Sequence, residues 1–273
     1  VLKYFFSSVN GALFTLSSQQ LFQDTAVSFG SVGWHMLGLG ITFLIMSVGV
    51  AKGIEAMNQV MMPVFFLFFL ILMVRVALLP GAEAGYEYLF VPQWDFLKQP
   101  KTWVYALGQA FFSLSVAGSG TVVYGSYLSD DVDVVSCAKR VAFFDTCAAL
   151  LSGLVVIPAV FAFQLDVASG PPLLFITLPN VFGQMPFSRL FAAIFFLAAF
   201  FAAITSLMNL FETPIEALQS AFGFHRRKAV LIVALIAAAV GIFIENGDVV
   251  GAWMDVISIY IIPLGALLAA VML

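Results

Sequence analysis

Three groups of polar residues stand out in an otherwise apolar sequence. The first is Ser113-Leu114-Ser115-Val116-Ala117-Gly118-Ser119-Gly120, in the middle of an apolar stretch over 103–127. Each Gly costs a helix about 1 kcal/mol relative to Ala, so two of them among three serines predict a break. Unwound backbone survives in a bilayer only when it is buried in protein or faces a water-filled cavity. Broken helices of this kind offer free carbonyls, free N–H groups and half-helix dipoles that can hold ions and small solutes. The other reading is a kinked span packed closely through its small residues. The second group is Thr205, Ser206, Asn209, Glu212 and Glu216. At about 100° per residue all but Ser206 share a narrow arc, and Ser206 flanks it. Hydroxyls with a nearby carbonyl suit a hard monovalent cation, which takes oxygen ligands; interhelical hydrogen bonding as glue is the alternative. The third is Asp145, in a stretch with no Lys or Arg one turn later to neutralise it. Ionisable groups inside a span cost about 2.5–3.5 kcal/mol on insertion scales and usually mark function.

The elements that position these groups are membrane helices. Hydrophobic residues make up 62% of the chain and charged residues 10%, with a mean hydropathy of +1.07. Soluble domains run at about 45–50% apolar and about 25% charged. The apolar runs approach 20 residues rather than alternating in ten-residue segments, so helices and not a barrel are expected. The net charge of −4 identifies no partner, and no basic stripe with interleaved aromatics suggests nucleic acid. Cys137 and Cys147 form no CxxC or Cys/His cluster and read as small buried side chains. His35 and His225 flank no zinc-ligand pattern. Nothing resembles a catalytic triad or a phosphate-binding loop, so an enzyme is not expected.

In chain order, 1–10 reads as the tail of an earlier span and 11–31 as a mixed Ser/Gln/Gly loop. Seven spans follow at about 32–51, 56–79, 103–127, 139–164, 189–219, 229–245 and 251–273, forming one membrane domain over 1–273. The chain starts with Val and begins in mid-pattern, which reads as a fragment. Lys52, Lys139, Arg140 and the cluster His225-Arg226-Arg227-Lys228 fall in alternate loops and assign these to the cytoplasmic side; Glu83, Glu87, Asp95, Asp166 and Asp248 fall on the other. Lys98, Lys101, Asp130, Asp131 and Asp133 run against this pattern. The Arg226-Arg227-Lys228 cluster itself reads as a topological anchor without chemistry. Gly53 and Pro63 bracket nine residues and suit an ordinary helix start with a Pro kink, while permitting local unwinding. The apolar loop from Gly170 to Pro179 is expected to fold over the outer mouth as a hairpin of short helices that buries Leu173, Phe175 and Leu178.

These residues also carry a likeness. The chain resembles the sodium:neurotransmitter symporter family, specifically its bacterial amino-acid transporters. The matching strings are Ala51-Lys52-Gly53-Ile54-Glu55, the Gly-x9-Pro spacing, Gly108-Gln109-Ala110-Phe111-Phe112-Ser113-Leu114-Ser115, Gly125-Ser126-Tyr127, Phe175-Ile176-Thr177-Leu178-Pro179 and Ala202-Ala203-Ile204-Thr205-Ser206. The resemblance implies an all-α membrane protein, part of an inverted-repeat transporter bundle with a discontinuous helix at 103–127. The seven spans then correspond to the fourth to tenth of eleven or twelve. It implies a multi-pass protein of the plasma membrane, in bacteria the inner membrane. Its ligands would be an amino acid and two sodium ions, with no organic cofactor.

Position by position, Ser113 matches a hydroxyl ligand of the first sodium, and Asp145 falls where the family places an Asn or Asp ligand to that ion. Ala202 (through its carbonyl), Thr205 and Ser206 match the second sodium site. Phe112, Ser113, Ser115 and Gly118 match substrate-lining positions on the broken helix, and Ser206 and Leu210 those on the later span. Phe112 also resembles the aromatic near the outer lid. Tyr127 resembles an inner-gate tyrosine and Asp255 the acid of the outer gate. Two departures stand out. Gly118-Ser119 replaces a Phe-Gly pair found in some members, which removes a ring from the pocket floor and favours a hydrophobic or aromatic amino acid. Ser220 stands where many members carry an inner-gate Asp, so either inner closure is weaker or Glu216, one turn earlier, replaces that acid. Chloride-requiring members place a serine four residues after the position of Asp145; here it is Ala149, which implies sodium dependence without chloride. The resulting expectation is import of an amino acid by alternating access. The rival class is a channel or a membrane scaffold subunit. A channel needs a ring of like residues, usually from several subunits, and a scaffold has no use for Asp145 or Glu212 inside a span.

Overall fold

The computed structural model describes residues 1–49, 55–115, 120–164 and 173–272. Every regular element among them is helical: α1 Leu2–Asn10, α2 Ser18–Ala26, α3 Val32–Val48, α4 Ala56–Ala77, α5 Ala82–Phe90, α6 Pro100–Ser113, α7 Gly120–Ser126, α8 Val134–Ala162, α9 Leu178–Gly183, α10 Ser188–Phe222, α11 Arg226–Phe243, α12 Gly247–Val256 and α13 Ile262–Met272. Among the described residues, α4, α8 and α10 are long and apolar enough to cross a membrane. Their boundaries follow local chemistry. Pro100 opens α6 at a position where no N–H is needed. The Asp133 carboxylate accepts from the Val135 N–H and caps α8. The 35-residue α10 ends at Gly223, in the left-handed conformation with φ +64°.

α10 is the shared axis of two apolar cores. Around its first half, Phe195, Phe196 and Ala192 pack with Tyr4 of α1, Phe69 and Leu72 of α4, Val155 and Ala159 of α8, and Phe182 of α9. Around its second half, Ile204, Met208 and Ile215 meet Leu39, Phe43 and Met46 of α3 and Val230 and Val233 of α11. A helix buried against partners on several sides is placed by its neighbours, so the polar residues along its remaining face are held at fixed positions.

α5 buttresses α8 at a proline. Pro158 has no N–H, so the Leu154 carbonyl one turn earlier loses its helical donor; the Tyr86 hydroxyl donates to it at 3.3 Å. The approach is so close that a Cβ at Gly85 would lie 2.4 Å from the Pro158 Cα. Only glycine fits this contact.

Three expectations need correction. The stretch 11–31 is not merely a loop: it contains a 3-10 turn, Ala12–Phe14, and α2, whose N-cap Ser17 accepts from the Gln20 N–H at 3.2 Å and whose Leu21 is buried. The last span is not one regular helix, because a π-helical turn, Ile257–Ile261, separates α12 from α13. The segment before α9 is a π-helical turn, Leu173–Thr177, and of the three apolar residues expected to be buried there, Leu178 is buried while Leu173 and Phe175 are half-buried. Phe175 nonetheless stacks on Phe196, with centroids 6.4 Å apart and planes at 6°, and this ties the segment to α10. The expected unwinding beside Gly53, the Lys52 loop, Asp166 and Gly118 lie outside the described residues.

Candidate functional site: the break between α6 and α7

α6 stops at Ser113. Leu114 and Ser115 leave the helix, and Ser115 takes φ +53°, a left-handed conformation that L-residues with a Cβ avoid at a cost of about 1–2 kcal/mol. α7 resumes at Gly120, which is buried. A cavity of about 310 Å³ opens at this corner. Phe111, Phe112, Ser113 and Ser115 form one wall and Gly120 another; Asp145 enters from α8, Ser206, Asn209 and Leu210 from α10, and Ile262 from α13. The Ser113 hydroxyl donates to Asp145 Oδ2 at 2.5 Å, so the acid without a local cation has a hydroxyl partner 32 residues away in sequence. The structure therefore brings together Phe112, Ser113, Ser115, Asp145, Ser206 and Leu210.

One turn farther out on α10, the Thr205 hydroxyl donates to the Ala202 carbonyl at 2.9 Å, and Ser206 follows. Carboxylate, hydroxyl and carbonyl oxygens are the donor set that a hard cation takes; Cys137 and Cys147 are free and border no part of this cavity. Asp255 is exposed on α12 and does not line the cavity.

Toward the C-terminal end of α10 the same polar arc builds a second cluster. The Tyr127 hydroxyl lies 2.9 Å from Glu212 Oε1 and 3.1 Å from Glu216 Oε2; with one proton to donate, it serves one carboxylate at a time. Glu212 is fully buried. Arg226 donates to both its oxygens, at 2.8 and 2.9 Å, and through Nε to the Met46 carbonyl at the end of α3, at 2.9 Å. A buried carboxylate is tolerable only when so paired, and the planar guanidinium matches it bidentately. Ser220 turns its hydroxyl to the Glu216 carbonyl at 3.0 Å and leaves Tyr127 to the two glutamates. Arg226 is thus not merely a topological anchor, as the charge pattern suggested, but the counter-ion of Glu212.

Sequence reasoning missed Phe111, Gly120, Asn209 and Ile262 as cavity residues and Arg226 as a partner. Asn209 was visible as part of the polar arc; Ile262 carried no signal, since an isoleucine in an apolar span is unremarkable until packing places it.

Residues 7–273 match the sodium:neurotransmitter symporter family. The chain is 35% identical to an uncharacterized sodium-dependent transporter of Bacillus subtilis over 246 residues, which cover 89% of the chain and 54% of that relative. It is 34% identical to a sodium-dependent transporter of Methanocaldococcus jannaschii, over 89% of the chain and 52% of that relative. The crystal structure of MhsT in complex with L-phenylalanine superposes with a TM-score of 0.89 at 30% identity, covering 97% of the chain and 64% of MhsT. The chain thus spans about half the length of the curated relatives it matches. These are transporters rather than enzymes, and the helical architecture is that of MhsT. An oxygen-lined break in a membrane helix, and a match that runs from residue 7 to the last residue, lead to one conclusion: the chain belongs to the sodium:neurotransmitter symporter family.

Proposed function

We propose that this chain carries part of the binding site of a sodium-coupled importer of amino acids, with a hydrophobic or aromatic substrate and alternating access. The observation that carries the reading is the convergence of Ser113, Ser115, Asp145 and Ser206 on one cavity of about 310 Å³ at the break between α6 and α7. That volume is at the low end of the ~300–1,000 Å³ typical of small-molecule sites, which suits a single amino acid. Phe112 and Leu210 supply the apolar wall. The neighbour MhsT was solved with L-phenylalanine bound, which supports the same substrate class here.

Sodium is cargo in this scheme, and two ions are proposed. Ser113 and Asp145 hold the first, beside the substrate carboxylate; the Ala202 carbonyl, Thr205 and Ser206 hold the second. The Ser113–Asp145 hydrogen bond sets two oxygens side by side at the cavity wall, so little rearrangement is needed to admit a cation. Tyr127, Glu212 and Arg226 tie α7, the inner half of the broken helix, to α10 and the end of α3. Closure of the cytoplasmic side through this cluster, alternating with closure of the outer side beneath α9, gives alternating access. Asp255 is proposed as an outer-gate acid.

The test is equilibrium binding of labelled L-phenylalanine to the purified natural full-length protein as sodium is titrated. Binding that rises with sodium, and a weakened sodium dependence in Ser113→Ala and Asp145→Asn, are expected. Binding of phenylalanine and other apolar amino acids that is indifferent to sodium would overturn the reading.

A further inference from the structure

We propose that Asn209 is a positioning residue for this site: its carboxamide braces both stumps of the broken helix and sets the Ser113–Ser115 corner against the cavity. The inference rests on the proposed transport reading for its kinetic consequences but not for its structural ones. Asn209 Nδ2 donates to the Ser115 hydroxyl at 2.9 Å. Ser115 is the residue at which α6 gives way to left-handed backbone, φ +53°. On the other side of the break, a Cβ placed on Gly120 would lie 3.1 Å from Asn209 Oδ1 and 3.5 Å from the Ser115 Cβ. One side chain from α10 therefore touches both Ser115, just past the end of α6, and Gly120, the first residue of α7.

The physical need for a brace is clear. A non-glycine residue at positive φ persists only where its surroundings over-determine it, and Ser115, at φ +53°, is such a residue. Among the described residues its carbonyl accepts a long contact from the Thr121 hydroxyl, 3.4 Å. α10 is held in place by two apolar cores, so a hydrogen bond from it anchors the corner to the rigid part of the molecule. Thr205 uses its hydroxyl within its own helix, and Glu212 and Glu216 serve the second cluster. Asn209 is the member of the arc that reaches the break.

The experiment is a set of variants of the natural full-length protein read in two ways: KM for sodium-driven amino-acid uptake, and amide hydrogen exchange across residues 112–124. Asn209→Ala should raise KM about three- to tenfold, the value of one net hydrogen bond, with a smaller change in maximal rate, and should speed exchange at Ser115 and Gly120. Because Asn209 acts through Ser115, the double variant with Ser115→Ala should have the KM of Ser115→Ala alone. Gly120→Ala should speed exchange at the break in the same way by pressing on the carboxamide, 3.1 Å from the added Cβ, and should add no further exchange once Asn209→Ala has made room. Effects of Asn209→Ala and Ser115→Ala that multiply, or exchange at the break that is unchanged in Asn209→Ala, would overturn the proposal. The exchange arm decides the brace even if the wild-type protein shows no sodium-driven uptake, which would sink the transport reading instead. Should Asn209→Ala fail to fold, Gly120→Ala against wild type carries the same exchange test.

Discussion

Removing Glu212 should destabilise the protein, and removing Arg226 with it should restore much of the loss. The Glu212 side chain is 0% exposed and that of Arg226 20% exposed, with contacts at 2.8 and 2.9 Å. Glu212→Leu leaves the guanidinium largely desolvated with no anion. Breaking a buried pair in this way costs about 3–5 kcal/mol, or a hundredfold or more in the ratio of folded to unfolded protein. The double variant Glu212→Leu/Arg226→Leu removes both charges, and apolar replacement of a buried pair is often nearly neutral. It still loses the Arg226 bond to the Met46 carbonyl, at about 1 kcal/mol, while Tyr127 keeps Glu216 within 3.1 Å. The double variant should therefore recover at least about 2 kcal/mol relative to Glu212→Leu, a coupling typical of residues in direct contact. The assay is denaturant or thermal unfolding of the purified natural full-length protein in one detergent, with all variants in parallel. A single-variant cost below about 1 kcal/mol, or single costs that simply add in the double, would refute the reasoning.

Replacing Thr205 by Val keeps the side chain's shape and deletes one oxygen of the proposed second ion site; a large loss of sodium affinity with an unchanged melting temperature is expected in a sodium-titrated binding assay. Gly118→Phe should add a ring that buries about 150–250 Å² and exclude large amino acids before small ones; equal loss of alanine and phenylalanine uptake would contradict the pocket proposed here. With Ala149 offering no hydroxyl one turn after Asp145, exchanging chloride for gluconate at constant sodium should leave most uptake intact.

Much of this arrangement was legible before any coordinates, for physical reasons that differ by residue. The arc of Thr205, Asn209, Glu212 and Glu216 was readable because helix periodicity projects i, i+4, i+7 and i+11 onto one face. The break was one of two readings of the Gly and Ser in a lipid-length apolar run, the other being close helix packing through small residues, and Leu114 and Ser115 leaving the helix decides for it. Partners distant in sequence were harder. Pairing of Ser113 with Asp145 depends on α6 meeting α8, and pairing of Glu212 with Arg226 depends on the turn after Gly223 folding α11 back along α10. Arg226 looked like an anchor because the positive-inside bias explains a cytoplasmic arginine without any partner. α2 and α5 escaped notice because nine residues carry less than three turns of periodicity, and their stability comes from capping by Ser17 and from packing of Gly85 on Pro158. Asp255 remains unplaced by the cavity geometry, since it is exposed on α12.

The central claim is that the oxygen-lined break serves sodium-coupled import. Its most direct test is uptake of labelled L-phenylalanine, within a panel of apolar amino acids, by the natural full-length protein in proteoliposomes. An inward sodium gradient is imposed, with an equal potassium gradient as the control. At about 2.3 kcal/mol per charge per 100 mV, sodium entry should drive accumulation above the external concentration, and Ser113→Ala should abolish most of it. Uptake that is equal in sodium and potassium, or that never exceeds equilibration, would contradict the account.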